Sequence, residues 1–147
     1  MTASELEQAM NESVVTTLGE MCFIDIDTLK EGSELGSVSH ILSITSLTPI
    51  RITLLVYLPK ELKISIVENI FVEKWDSLEG SKIDDSLLEI LNVLAGHFFN
   101  RLLGQGTPYT MGLPTLVFDD RVLLSGNQRN LFYSAEGMIF KIVILED

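Results

Sequence analysis

Two periods of apolar residues alternate along the chain. In DDSLLEILNVLAGHFFNRLLG, residues 84–104, Leu87, Leu88, Leu91, Leu94, Ala95, Phe98 and Leu102 gather on one side of a wheel that advances about 100° per residue. Asp85, Glu89, Asn92 and Gly96 form a stripe about 60° wide on the other side. This is an amphipathic helix, with Asp84 as its candidate N-cap and Gly104 as the glycine that ends it. Residues 4–22 show the same period through Leu6, Met10, Val14, Leu18 and Met21, with Ser4 as candidate N-cap and Glu5 and Glu7 in the first turn. A third helix is predicted over 60–75, where Leu62, Ile66 and Ile70 line one face and Lys60 and Lys63 take polar positions.

Elsewhere the period shortens to two. Residues 37–45 and 50–58 are rich in Ile, Val and Thr, and the short link at Leu47, Thr48 and Pro49 makes them an antiparallel hairpin that Pro59 can end. Ile50, Ile52, Leu54, Val56 and Leu58 share one face; Arg51, Thr53 and Tyr57 share the other. Further strands are predicted at 109–118, 121–125, 130–136 and 138–145, with a tight turn at Glu136 and Gly137. The last strand is apolar on nearly both faces, which suits either the centre of a covered sheet or an edge completed by another subunit. FIDIDTLKEGSELG, after the first helix, is a connecting loop or a short edge strand, and GQGTP at 104–108 is a turn. The polar stretch DSLEGSKIDD, residues 76–85, is the candidate junction between halves. The expected architecture is α+β: a single domain over 1–147, with one mostly antiparallel sheet and two long helices packed on one face.

Composition narrows the partners. At 147 residues with 46% hydrophobic and 21% charged, the chain has material for one well-buried domain. A net charge of −11 disfavours nucleic acid and an anionic membrane surface, and points to a basic or mixed protein patch. The single cysteine, Cys22, excludes an internal disulfide and fits a reducing compartment. With no signal-like start and no long apolar run, the expected location is the cytoplasm.

The stripe on 84–104 carries the candidate chemistry. An ordinary solvated face would hold Lys and Glu in i,i+4 pairs; this one holds two acids, a carboxamide and a glycine. A glycine costs about 1 kcal/mol against alanine inside a helix, so Gly96 either packs against a neighbouring strand or bares the backbone beside Asn92 for another surface. Classical catalytic sets are missing: His40 and His97 lie on different elements, Cys22 has no base nearby in sequence, and no spacing of His, Cys and Asp makes a metal site. His97 sits at the border of the apolar arc, and Asp119 and Asp120 suit a turn.

Asp85, Glu89 and Asn92, with Pro114 after a long gap, resemble the signature of the CheC/CheX/FliY chemotaxis phosphatases. The motif spacing recurs 81 residues earlier as Ser4, Gln8 and Asn11, where the Glu has become Gln and Val15 stands in place of Gly96. The two helices look like copies, which suggests a quasi-repeat over about 1–75 and 82–147. The resemblance, closest to CheX-like members, implies one intact and one degenerate site. It implies hydrolysis of the aspartyl phosphate of a CheY-like receiver domain, with Asn92 orienting the attacking water and Glu89 meeting a receiver lysine. Asp85, Ser86 and Gly96 would extend the docking surface. The chain would need no cofactor of its own, since the divalent metal (Mg2+) is expected on the receiver. A homodimer paired through the sheets is also implied. A catalytically silent receiver-binding adaptor and a structural dimerisation domain remain the alternatives.

Overall fold

The computed structural model describes residues 2–30, 32–71, 79–119 and 127–146. The chain runs α1 (Ala3–Cys22), β1 (Ile26–Leu29), β2 (Val38–Thr48), β3 (Ile52–Pro59), α2 (Lys60–Phe71), α3 (Gly80–Leu103), β4 (Thr110–Met111), β5 (Thr115–Val117), β6 (Asn127–Ala135) and β7 (Met138–Glu146). Among the described residues the strands form one antiparallel sheet in the order β1-β6-β7-β3-β2-β4, with β5 also on β2. The α+β architecture is as the periodicities predict.

One face of the sheet carries the main core. Ile52, Leu54, Val56 and Leu58 of β3 and Phe140, Ile142 and Ile144 of β7 meet Leu6, Met10 and Val14 of α1, Leu62 and Ile66 of α2, and Leu87, Leu91 and Phe98 of α3. The opposite face holds a smaller cluster of Leu55, Tyr57, Val143 and Leu145. Those two clusters explain the doubly apolar β7. It lies inside the sheet, registered on β3 through Leu54↔Ile144 and on β6 through Leu131↔Ile142, so it is not an edge. The β6–β7 turn at Glu136 (φ 51) and Gly137 (φ 79) has both central residues left-handed, as a two-residue hairpin of this twist requires.

Several boundaries move. The α1 cap is Thr2, not Ser4: the Glu5 amide donates to Thr2 Oγ1 at 3.1 Å and the Thr2 amide donates to Glu5 Oε2 at 3.4 Å, a capping box written in the sequence as T-x-x-E. Asp84 is not an N-cap either, because α3 begins at Gly80 after Glu79; the extra turn lets Ile83, only 7% exposed, join the apolar arc. The run 109–118 breaks into β4 and β5 around Gly112–Pro114, where the Gly112 amide donates to the Thr45 carbonyl at 2.8 Å and the proline has no donor. Lys63, assigned to a polar position, is buried. The expected strand at 121–125, the end of the helix predicted to 75 and residues 76–78 of the junction lie outside the described residues.

The two halves interleave. β1 pairs with β6 of the second half, and β4 and β5 pair with β2 of the first. Each half's first strand thus completes the other half's hairpin.

Candidate functional site

The outer face of α3 is built by exclusion. Burying Leu87, Ile90, Leu91, Leu94, Ala95, Phe98 and Phe99 against the sheet and α1 turns Asp85, Glu89 and Asn92 outward, and all three are exposed. Residues three apart are surface neighbours on a helix, with Cβ atoms about 5–6 Å apart, so the Glu89 carboxylate and Asn92 carboxamide share one patch. Among the described residues neither makes a hydrogen bond or ion pair. A rigid helix therefore presents an acceptor-only acid and a donor–acceptor amide to whatever approaches.

The flanking residues are more committed. The Ser86 hydroxyl donates to the Lys82 carbonyl at 2.7 Å, within its own helix. Beside Gly96 stands the Tyr109 ring: its hydroxyl donates to the Gly96 carbonyl at 3.5 Å and lies 3.8 Å from where a Cβ would be. The space that the glycine leaves is thus partly filled from within the chain.

On α1 the equivalent stripe is differently engaged. The Tyr133 hydroxyl donates to Asn11 Oδ1 at 2.7 Å. Burial, with Glu7 adding to it, pushes the Tyr133 phenol above its ordinary range, so it stays a protonated donor. Gln8 Nε2 donates to Glu12 Oε1 at 3.3 Å; Ser4 is exposed, and Val15 is 48% exposed next to this face. Asn11 is half-buried and tied to the sheet, where Asn92 is free.

No protein-family model matches the chain, and no curated protein does. Solved structures do. The chemotaxis protein CheX from Vibrio vulnificus superposes with a TM-score of 0.77 at 17% identity, over 97% of this chain and 99% of that one. CheX from Desulfovibrio desulfuricans gives 0.75 at 13%, over 97% and 99%. CheX in the CheX–CheY–BeF3–Mg2+ complex from Borrelia burgdorferi gives 0.71 at 15%, over 95% and 96%. The fold is that of the CheC/CheX/FliY chemotaxis proteins. It also extends to the FliM middle domain, so the likeness at these identities is one of fold.

Within this CheX-like fold, α1 and α3 pack antiparallel and are joined by polar ties. Thr17 Oγ1 and His97 Nδ1 lie 2.9 Å apart, which makes the boundary histidine a link between helices. Arg101 reaches Thr16 Oγ1 at 3.1 Å and Glu12 at 3.5 Å. A second cluster escaped the sequence reading. Lys63 Nζ donates to Ser39 Oγ at 2.6 Å and to His40 Nδ1 at 3.1 Å, so His40 carries its hydrogen on Nε2 and donates to Asp84 Oδ1 at 3.1 Å. Burial lowers the Lys63 pKa, Asp84 opposing and Lys60 assisting that shift. These residues pin the start of α3 to β2 and α2.

Pro114 lies in the link between β4 and β5. Tyr109 and Tyr133, which touch Gly96 and Asn11, had no sequence signal, because a phenol's partner across the fold leaves no periodic trace. Among the described residues no three His, Cys, Asp or Glu side chains converge as a metal site, and no helix is long and apolar enough to cross a membrane.

Proposed function

We propose that this protein hydrolyses the aspartyl phosphate of a CheY-like receiver domain. The observation that carries the reading is the pair Glu89 and Asn92, exposed, unengaged and adjacent on a rigid helix in a CheX-like fold. Asn92 enters the receiver's site and orients a water with its carboxamide, which stays neutral beside the phosphoryl group. That water attacks phosphorus; the bond from phosphorus to the aspartyl oxygen breaks; inorganic phosphate leaves with the water's oxygen and both its protons, one of which it shares with solvent, and the receiver recovers its carboxylate. Glu89 pairs with the receiver's lysine through a charge-assisted hydrogen bond, roughly twice as strong as a neutral one. The receiver supplies its own divalent metal, so this chain contributes positioning, which is most of what phosphoryl transfer asks of a protein. A CheX relative captured with CheY and Mg2+ supports that choice of partner.

The same reading puts the protein in the cytoplasm beside its receiver. If it pairs as a homodimer through a sheet edge, that edge is not β7, which is interior.

The test is phosphate release from receivers of the source organism phosphorylated with acetyl phosphate. Wild-type protein accelerates release, Asn92→Ala loses about 10²-fold by misplacing the water, and Glu89→Ala loses about tenfold in kcat/KM. Asn11→Ala keeps the activity. Binding without acceleration would make the protein an adaptor instead.

A further inference from the structure

Where α1 and α2 end and α3 begins, three features meet. Phe23 closes α1 in a left-handed conformation (φ 58, ψ 38) and is 80% exposed. Glycine or asparagine is usual there, since a Cβ in that region costs roughly 1–2 kcal/mol. The helix end does not need the ring: the Phe23 and Ile24 amides both donate to the Leu18 carbonyl, and Asn69 Nδ2 donates to the Cys22 carbonyl at 2.8 Å. An aromatic group is held in water at a position that a smaller residue would fill with less strain.

Next to this end opens a hollow of about 290 Å³, with Met21, Ile70 and Phe71 as its apolar wall and Lys82, Asp85 and Glu89 among its lining residues. The Lys82 ammonium stands 4.6 Å from the centre of the Phe71 ring, so the ring face already holds a cation of this chain, and Lys82 must swing aside for a second one.

We infer that this shelf docks the receiver and sets which receiver is accepted. Phe23 lies against the receiver surface, and the hollow takes one basic side chain other than the lysine that Glu89 meets, its aliphatic stem on Met21, Ile70 and Phe71 and its charge at Asp85. The inference rests on the receiver reading above. Continuity selects the occupant: Glu89 lines the hollow and belongs to the catalytic pair one turn from Asn92. A specific interface covers about 800 Å² per partner, so a receiver seated on Asn92 extends over the neighbouring shelf. Asp85 and Glu89 outnumber Lys82 in the lining, so a basic side chain is favoured over an acidic one.

The experiment measures kcat and KM on the acetyl-phosphate-treated receiver for wild type, Phe23→Gly and Asp85→Lys, with a thermal melt of each. Phe23→Gly raises KM about tenfold, as loss of an aromatic anchor does, leaves kcat unchanged and keeps or raises Tm, a combination that a structural role for the ring would not produce. Asp85→Lys raises KM and reduces its dependence on salt. An unchanged KM in Phe23→Gly, with wild type active and Asn92→Ala inactive, overturns the shelf and leaves the phosphatase standing. A raised KM accompanied by a lowered Tm assigns Phe23 to the fold and also overturns the shelf. Wild type that neither binds nor dephosphorylates any receiver overturns the phosphatase reading, and the shelf with it.

Discussion

Asn92 and Asn11 occupy matching places on two helices, and they differ in what each side chain already holds. The Asn11 carbonyl oxygen accepts the Tyr133 hydroxyl, so one of its two acceptor positions is spent on the fold. Tyr133→Phe should cost about 1 kcal/mol in a urea titration, the worth of one hydrogen bond, without raising phosphate release. Cys22 gives a second check at this scale. Burial pushes its thiol from 9.0 up to about 12, so above pH 9 the unfolded chain loses a proton that the folded chain keeps. That contribution is intact below pH 9 and is lost as pH rises toward 12, by about 1.4 kcal/mol per pH unit. Lys63, held below its ordinary value by burial, acts in the opposite sense. Cys22→Ala should therefore flatten the alkaline fall in stability measured by denaturant titration. The stripe of Glu89 and Asn92 was legible because a helical wheel needs only local spacing. Tyr133 was not, since it meets Asn11 across 122 residues.

The helices show how a local rule can be right in kind and wrong in place. An aspartate before an apolar run is a good N-cap, yet Asp84 lies inside α3 and accepts a hydrogen bond from His40 Nε2. Ile83 could be buried only by winding the helix one turn further back, and no periodicity announces that His40 and Lys63 will wait there. Removing the link by His40→Ala should cost about 1–3 kcal/mol, because it strips a partner from buried Lys63 as well as from Asp84. It should also speed amide exchange in the first turns of α3 more than in its second half. The same element explains how the stripe of Glu89 and Asn92 is held: Arg101 and His97 tie α3 to α1 on one side, and the His40 cluster ties its start to β2 and α2.

At the level of the whole molecule, alternation in the sequence marked most of the strands but not their order. The hairpins β2–β3 and β6–β7 were readable from local turn chemistry. The exchange of β1 for β4 and β5 between halves was not, because strand alternation says which face is buried and nothing about which edge is met. The two stretches whose helices look like copies are therefore not a pair of modules. Residues 1–75 alone leave β1 without β6, and 82–147 alone leave β4 and β5 without β2. Each fragment should show neither a cooperative melt nor dispersed amide resonances, while the two mixed should recover some of both.

That exchange also dictates a timetable. A ribosome delivers α1 and β1 long before β6, the strand that β1 pairs with. Until then Leu6, Met10 and Val14 have only part of their final covering. The nascent chain must be kept from sticking, and its cooperative closure comes late, as distant pairings make slow folders. A chain cut short by a few strands is thus waste for proteases, not a working half.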